Sequence, residues 1–282
     1  MQKIIPVLLL ALLMLVFPGV TLSGAREGLL LWYQNVLPAQ FPFMVCILFA
    51  MKNGLGQGGA SGPAVFLSGM LAGYPGGAKM VEVLYRQGRI SASRLQWLMS
   101  FCNNSGPLFV VGTVGVGMFN SAVIGYKILI AHLLAALGCA VIFGRKNRGE
   151  IFPIIIEEKR QRRAMGAVLG ECVSEAASVM VTVGGFMMLY CVLIRLGTYL
   201  WPGGEYFYGL LEMTNGVALI KELPLEWAVP LAGALVSMGG FAVYSQTCAV
   251  LQNTSFSGGR YLLAKCVQGA LCGLLLWLIK DF

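Results

Sequence analysis

The sequence predicts an all-α polytopic membrane protein, arranged as an inverted-topology repeat with two re-entrant helical hairpins and two broken transmembrane helices. Three observations lead there. The 282 residues are 57% hydrophobic and only 11% charged, whereas about a quarter of the residues in a soluble domain are charged. Apolar runs close to the roughly 20 residues that span a hydrocarbon core recur from end to end. Two of those runs are odd: one is interrupted by "GYPGG", and another is short and carries a glutamate.

The apolar elements fall at 4–24, 29–51, 63–85, 95–119, 121–144, 166–198, 206–222, 227–252 and 261–280. The first has the basic start and small-residue end of a signal peptide. Its apolar stretch of about 19 residues is long for such a peptide, so it is read as a retained first helix. The segment Arg145–Arg163 carries seven basic residues against three acidic ones, and the positive-inside rule puts it in the cytoplasm. Counting back, 121–144 runs inward and 95–119 outward, so Arg86, Arg89 and Arg94 also lie inside. If 63–85 enters and turns back, Lys3 and Lys52 fall inside as well, leaving only Arg26, beside Glu27, outside. Counting forward, 166–198 runs outward, 206–222 dips in from outside and 227–252 returns. Helix, hairpin and broken helix thus occur twice in opposite orientation, as in inverted-repeat transporters. The expected organisation is a single integral membrane domain, 1–282, with a first repeat at 29–144, a basic cytoplasmic linker at 145–165 and a second repeat at 166–282.

Four stretches carry chemistry. In "AGYPGGAK", Pro75 cannot donate a helical hydrogen bond, and Gly73, Gly76 and Gly77 permit turns closed to other residues. A hairpin tip there would present free N–H groups beside Tyr74, with Lys79 as a cation. The plainer reading is a kinked helix whose lysine snorkels to the interface. In "CNNSGPLF", Asn103, Asn104 and Ser105 precede Gly106 and Pro107, where a helix would unwind, as transporters do around midplane ligands; the alternative is a proline kink with packed amides. In "LLEMTNG", Glu212, Thr214 and Asn215 crown the short hairpin. A carboxylate within a membrane suggests a substrate acceptor, a proton or sodium site, or a partner for Lys79, unless it sits at the interface. In "SMGGFAVYSQT", Ser237, Gly239 and Gly240 form the matching break, and Gln246 lies on the polar stripe that follows.

Other candidates are weaker. The net charge of +8 marks cytoplasmic loops and affinity for anionic lipid rather than for nucleic acid. The eight cysteines are scattered without metal or redox spacing, and His132, the only histidine, sits on an apolar helix. Asp281 is the only aspartate. No enzyme, metal or cofactor is expected from this inventory. The "GTVGVG" stretch, Gly112–Gly117, is a small-residue face for close helix packing.

Taken in order, "GYPGGAK", "RQGRISASR", "FCNNSGPLFVVGTVGVGMF", "GLLEMTNG" and "SMGGFAVYSQ" resemble the sporulation integral membrane protein YlbJ family. Members of that family carry a nucleoside-recognition or gate domain related to concentrative nucleoside transporters. The resemblance implies a transport core in the bacterial cell or forespore membrane. It also implies movement of dipicolinate, an aromatic dicarboxylate, during spore formation, with a nucleoside-like solute or a non-transporting spore-envelope scaffold as alternatives. The site expected comprises tips 73–79 and 212–216 and breaks 103–107 and 237–240, with Lys79 facing the anion. The partners expected are a small-molecule anion and membrane lipid, with a coupling ion and a second copy of the chain as further candidates.

Overall fold

Proline, glycine and serine set where the helices start and stop. The computed structural model describes residues 4–53, 62–144 and 164–279, so the basic linker lies outside the described residues up to Arg163. Helix α1 (Ile5–Val16) ends at Phe17, and Pro18 opens α2 (Pro18–Leu31) from its first position, where its missing N–H would have been unsatisfied in any case. Helix α2 passes through one wide π-type turn at Trp32–Val36, just before Pro38, into α3 (Leu37–Lys52). Such a widening absorbs the hydrogen bond that a proline removes.

Residues 18–52 therefore form one rod of 35 residues. The two spans expected at 4–24 and 29–51 are redrawn accordingly. No helix breaker stands between Gly19 and Trp32, because Gly24 and Gly28 serve packing rather than a turn. They lie against the backbone of α8 (Met165–Leu200) at Cys191–Val192 and Met187–Met188, the close approach that small residues allow between membrane helices. Farther along, Trp32 meets Gly184 and Lys52 meets Glu171, so the rod and α8 run antiparallel. An ion pair closes each end of this contact, Glu27–Arg195 at 2.6 Å and Lys52–Glu171 at 3.2 Å. The 25 residue steps from Glu27 to Lys52 span about 38 Å at 1.5 Å per step, close to a bilayer with its interfaces.

The remaining elements pack beside this pair. Helices α4 (Gly62–Ala72) and α5 (Gly76–Arg86) are joined by a turn at Gly73–Pro75 that contains a cis Tyr74–Pro75 bond. Helix α6 (Ala92–Met99) is capped by Ser91 Oγ, which accepts from Arg94 N at 3.1 Å. After a non-helical stretch the chain coils again from Pro107, mostly as a π-type helix at Phe109–Met118. Gly115 of that segment packs on Gly125 of α7 (Ala122–Gly144). Beyond α8 come the single turn α9 (Glu205–Tyr208), α10 (Met213–Ile220), α11 (Leu225–Met238), α12 (Gly240–Val250) and α13 (Gly258–Leu278).

Among the described residues, five stretches are long and apolar enough to cross a membrane: Pro18–Lys52, Ala122–Gly144, Met165–Leu200, Leu225–Val250 and Gly258–Leu278. The outward face of α7, with Val123, Ile130, Leu134 and Val141, is as apolar as its inward face, with Ile124, Ile128 and Ala135. A helix apolar all round is solvated by lipid. The protein is a multi-pass membrane protein, all-helical among the described residues.

Gly77 tests the packing of the α4–α5 pair. A Cβ there would strike the Cys102 carbonyl and come within 2.8 Å of Asn103 Cα, whereas one at Gly185 meets nothing within 4 Å. Gly77→Ala is expected to destabilise the purified protein by about 1–3 kcal/mol, as overpacking does, with Gly185→Ala close to neutral. Equal thermal unfolding of the two variants would refute this contact.

Candidate functional site

Where α11 stops, its last carbonyls have no partner within the helix. It stops because Gly239 and Gly240 both take left-handed backbone angles, φ 83° and φ 72°, which favour glycine. The orphan carbonyls are met by the other half of the chain. Tyr74, from the α4–α5 turn, donates its hydroxyl to Ser237 O at 3.0 Å, and Ser105 Oγ donates to Val236 O at 3.4 Å. His132 Nδ1 lies 2.7 Å from Ser237 Oγ. Gly106 packs on the backbone of Gly73.

The interruption at 100–106 is tied down as tightly. Asn103 Oδ1 accepts from Ala78 N at 3.2 Å, an orphan donor in the first turn of α5, and its Nδ2 donates to Thr247 Oγ1 at 3.0 Å and Tyr261 OH at 2.8 Å. Asn104 Nδ2 donates to Phe101 O at 2.6 Å, and its Oδ1 accepts from Gln268 Nε2 at 2.9 Å. At the centre is Lys265 of α13, 1% exposed. Its ammonium donates to Tyr74 OH at 3.2 Å, to Gln268 Oε1 at 2.7 Å and to the Asn103 carbonyl. It also lies 5.0 Å from the Tyr74 ring centroid, a favourable placement for a cation. Among the described residues no carboxylate is within ion-pair distance of it.

The sequence-predicted residues thus separate into three groups. Gly73, Tyr74, Pro75, Gly76, Gly77, Asn103, Asn104, Ser105, Gly106 and Ser237 converge on this junction. A second group gathers at the turn before α10. Glu212 caps that helix, accepting from Asn215 N at 2.9 Å and Thr214 Oγ1 at 3.0 Å, while Asn215 Nδ2 reaches Cys191 Sγ at 3.2 Å. The same turn supplies Leu210 O and Leu211 O to Phe241 N and Ala242 N, at 3.0 and 2.8 Å, so the first-turn donors of α12 are satisfied just beyond Gly239 and Gly240. Gln246 is buried farther along α12. The third group holds Lys79, paired with Glu82 and Glu175 at 3.0 Å each. Lys52 at 3.4 Å from Glu175 and Arg86 at 3.1 Å from Glu82 extend it into a chain of charges between the rod, α5 and α8.

Lys265, Gln268 and Tyr261 were not among the residues singled out by sequence. The signal was available, because a lysine inside an apolar span, with glutamine three residues on, is itself a pointer to function. An apolar cavity of about 610 Å³ lies beside the second group, lined by Leu210, Leu231, Leu235, Met238, Cys266 and Gly269 among others.

No protein-family model matches the chain, and no solved structure does. One curated relative does: the chain is 25% identical to the sporulation integral membrane protein YlbJ of Bacillus subtilis (strain 168), over 92% of its own length and 78% of the relative's. The chain is a YlbJ relative. The likeness to YlbJ extends over nearly the whole chain, and it agrees with a multi-pass membrane location.

The ion-pair chain is open to measurement. In a double-mutant cycle, Lys79→Met and Glu175→Gln should show a coupling of about 0.5–1 kcal/mol, shrinking as salt rises. Additive effects on unfolding would mean that Lys79 does not tie α5 to α8.

Proposed function

We propose that this YlbJ relative is a permease for a small anionic solute, with dipicolinate the leading candidate. The observation that carries the reading is the ammonium of Lys265, buried where two interrupted segments meet with no carboxylate in ion-pair distance among the described residues. A charge in the bilayer core costs about 2.5–3.5 kcal/mol on insertion scales. A positive charge kept there in spite of that favours a negatively charged ligand.

The architecture supports the same reading. Helices α4 and α5 have 11 residues each, about 17 Å of helix, too short to cross a hydrocarbon core of about 30 Å. We read them, and likewise α9 with α10, as re-entrant hairpins. Each hairpin packs on the interruption that follows it in sequence, 102–103 for the first and 239–242 for the second. That recurrence supports an inverted repeat, in which a midplane site opens alternately to either side. We carry the gate-domain reading and a role in spore formation as part of the same proposal. We propose no catalysis.

A second reading, a non-transporting scaffold, also has an observation behind it: the polar groups of the junction are largely satisfied by one another. Uptake into proteoliposomes separates the two. Wild-type protein should take up labelled dipicolinate saturably and in preference to nucleosides. Lys265→Met should lower uptake by about tenfold or more, the effect of losing roughly 1.4 kcal/mol of interaction, and Lys79→Met should change it far less. Preference for nucleosides would reassign the solute. No uptake by well-inserted protein would favour the scaffold.

A further inference from the structure

The directions of the hydrogen bonds at Lys265 can be fixed from backbone carbonyls, which only accept. Phe101 O requires Asn104 to present its NH₂, at 2.6 Å, so Asn104 turns its oxygen to Gln268 Nε2 at 2.9 Å. Gln268 must then turn its own oxygen to Lys265, at 2.7 Å. Ser237 O, 3.0 Å from Tyr74 OH, takes the single phenolic proton, leaving only an oxygen lone pair for Lys265 at 3.2 Å. The third partner is the Asn103 carbonyl. Nζ therefore faces three acceptors and needs three protons, which an ammonium has and a neutral amine lacks.

The three acceptors are a backbone carbonyl at an unwound stretch, a phenol oxygen and a side-chain amide oxygen, drawn from three separate elements. Unwound carbonyls of this kind hold monovalent coupling ions in other transport folds. The surrounding side chains with titratable groups are His132, Tyr261, Cys102 and Cys139. None of them is a carboxylate.

We infer that Lys265 supplies from within the chain the monovalent cation that this junction would otherwise take from solution. Its Nζ occupies the centre of an oxygen cage suited to an ammonium or alkali-metal ion, and the charge stays in place instead of binding and leaving. The junction closes without sodium or potassium. This goes beyond the transport reading: the three N–H bonds hold the junction together while the net charge remains to attract a solute, and its test reads stability, so failure of transport would not decide it.

The test is thermal unfolding of the purified full chain in sodium, potassium, ammonium, propylammonium or choline chloride at equal ionic strength. Wild-type protein should unfold at the same temperature in all five salts. Lys265→Ala should lose roughly 5 °C or more in choline and regain much of it in propylammonium, which replaces the missing stem and charge. Ammonium and the alkali ions should rescue partly, and choline, too large for the cage, should not. Stabilisation of the wild type by sodium or potassium over choline would overturn the inference. So would a Lys265→Ala protein indifferent to every cation. Where the variant does not fold, the wild-type comparison alone decides.

Discussion

A bilayer offers no water to an unpaired peptide group, so irregular chain at membrane depth has to be satisfied by protein. In this molecule the requirement is met reciprocally. The carbonyls freed where α11 ends are taken by hydroxyls of the first half, Tyr74 and Ser105. The interruption at 100–106 is held by residues from the second half, Thr247, Tyr261, Lys265 and Gln268. Neither interruption satisfies its polar groups by its own contacts alone, and each supplies partners to the other.

The frame that keeps these pieces in register is the antiparallel pair of residues 18–52 and α8. Its approach is set by Gly24, Gly28 and Gly184, and its ends by Glu27–Arg195 and Lys52–Glu171. From the second of these ends a line of alternating charges runs through Glu175, Lys79 and Glu82 to Arg86. It ties the α4–α5 pair to the frame at the end next to the basic linker, so the turn at Tyr74 is positioned from two directions.

Much of this was legible in the sequence, and the reason is local. Composition fixes the membrane class, and proline and glycine mark interruptions because their backbone effects act where they stand. The turn at Gly73–Pro75, the break at Asn103–Gly106 and the pair Gly239–Gly240 were all visible for that reason. Less visible was whatever depends on a partner far along the chain. Lys79 reads as an available cation until Glu175, 96 positions later, is brought beside it. Glu212 reads as a ligand until it is seen capping α10. The boundary expected near residue 25 failed because glycines at 24 and 28 mean close packing in a membrane helix and turns elsewhere. Lys265 escaped notice because a single polar residue barely alters the hydropathy of its span.

The hydroxyl of Tyr74 touches both Ser237 O and the ammonium of Lys265. Pulling the two halves apart at that point would bare a carbonyl and a charge in the same stroke. Neither can face hydrocarbon or vacuum, so the junction can part only as fast as water or a polar solute moves in to replace the phenol. One side chain thereby couples the two interruptions: a dry separation at this point would strip both groups of their partner at once.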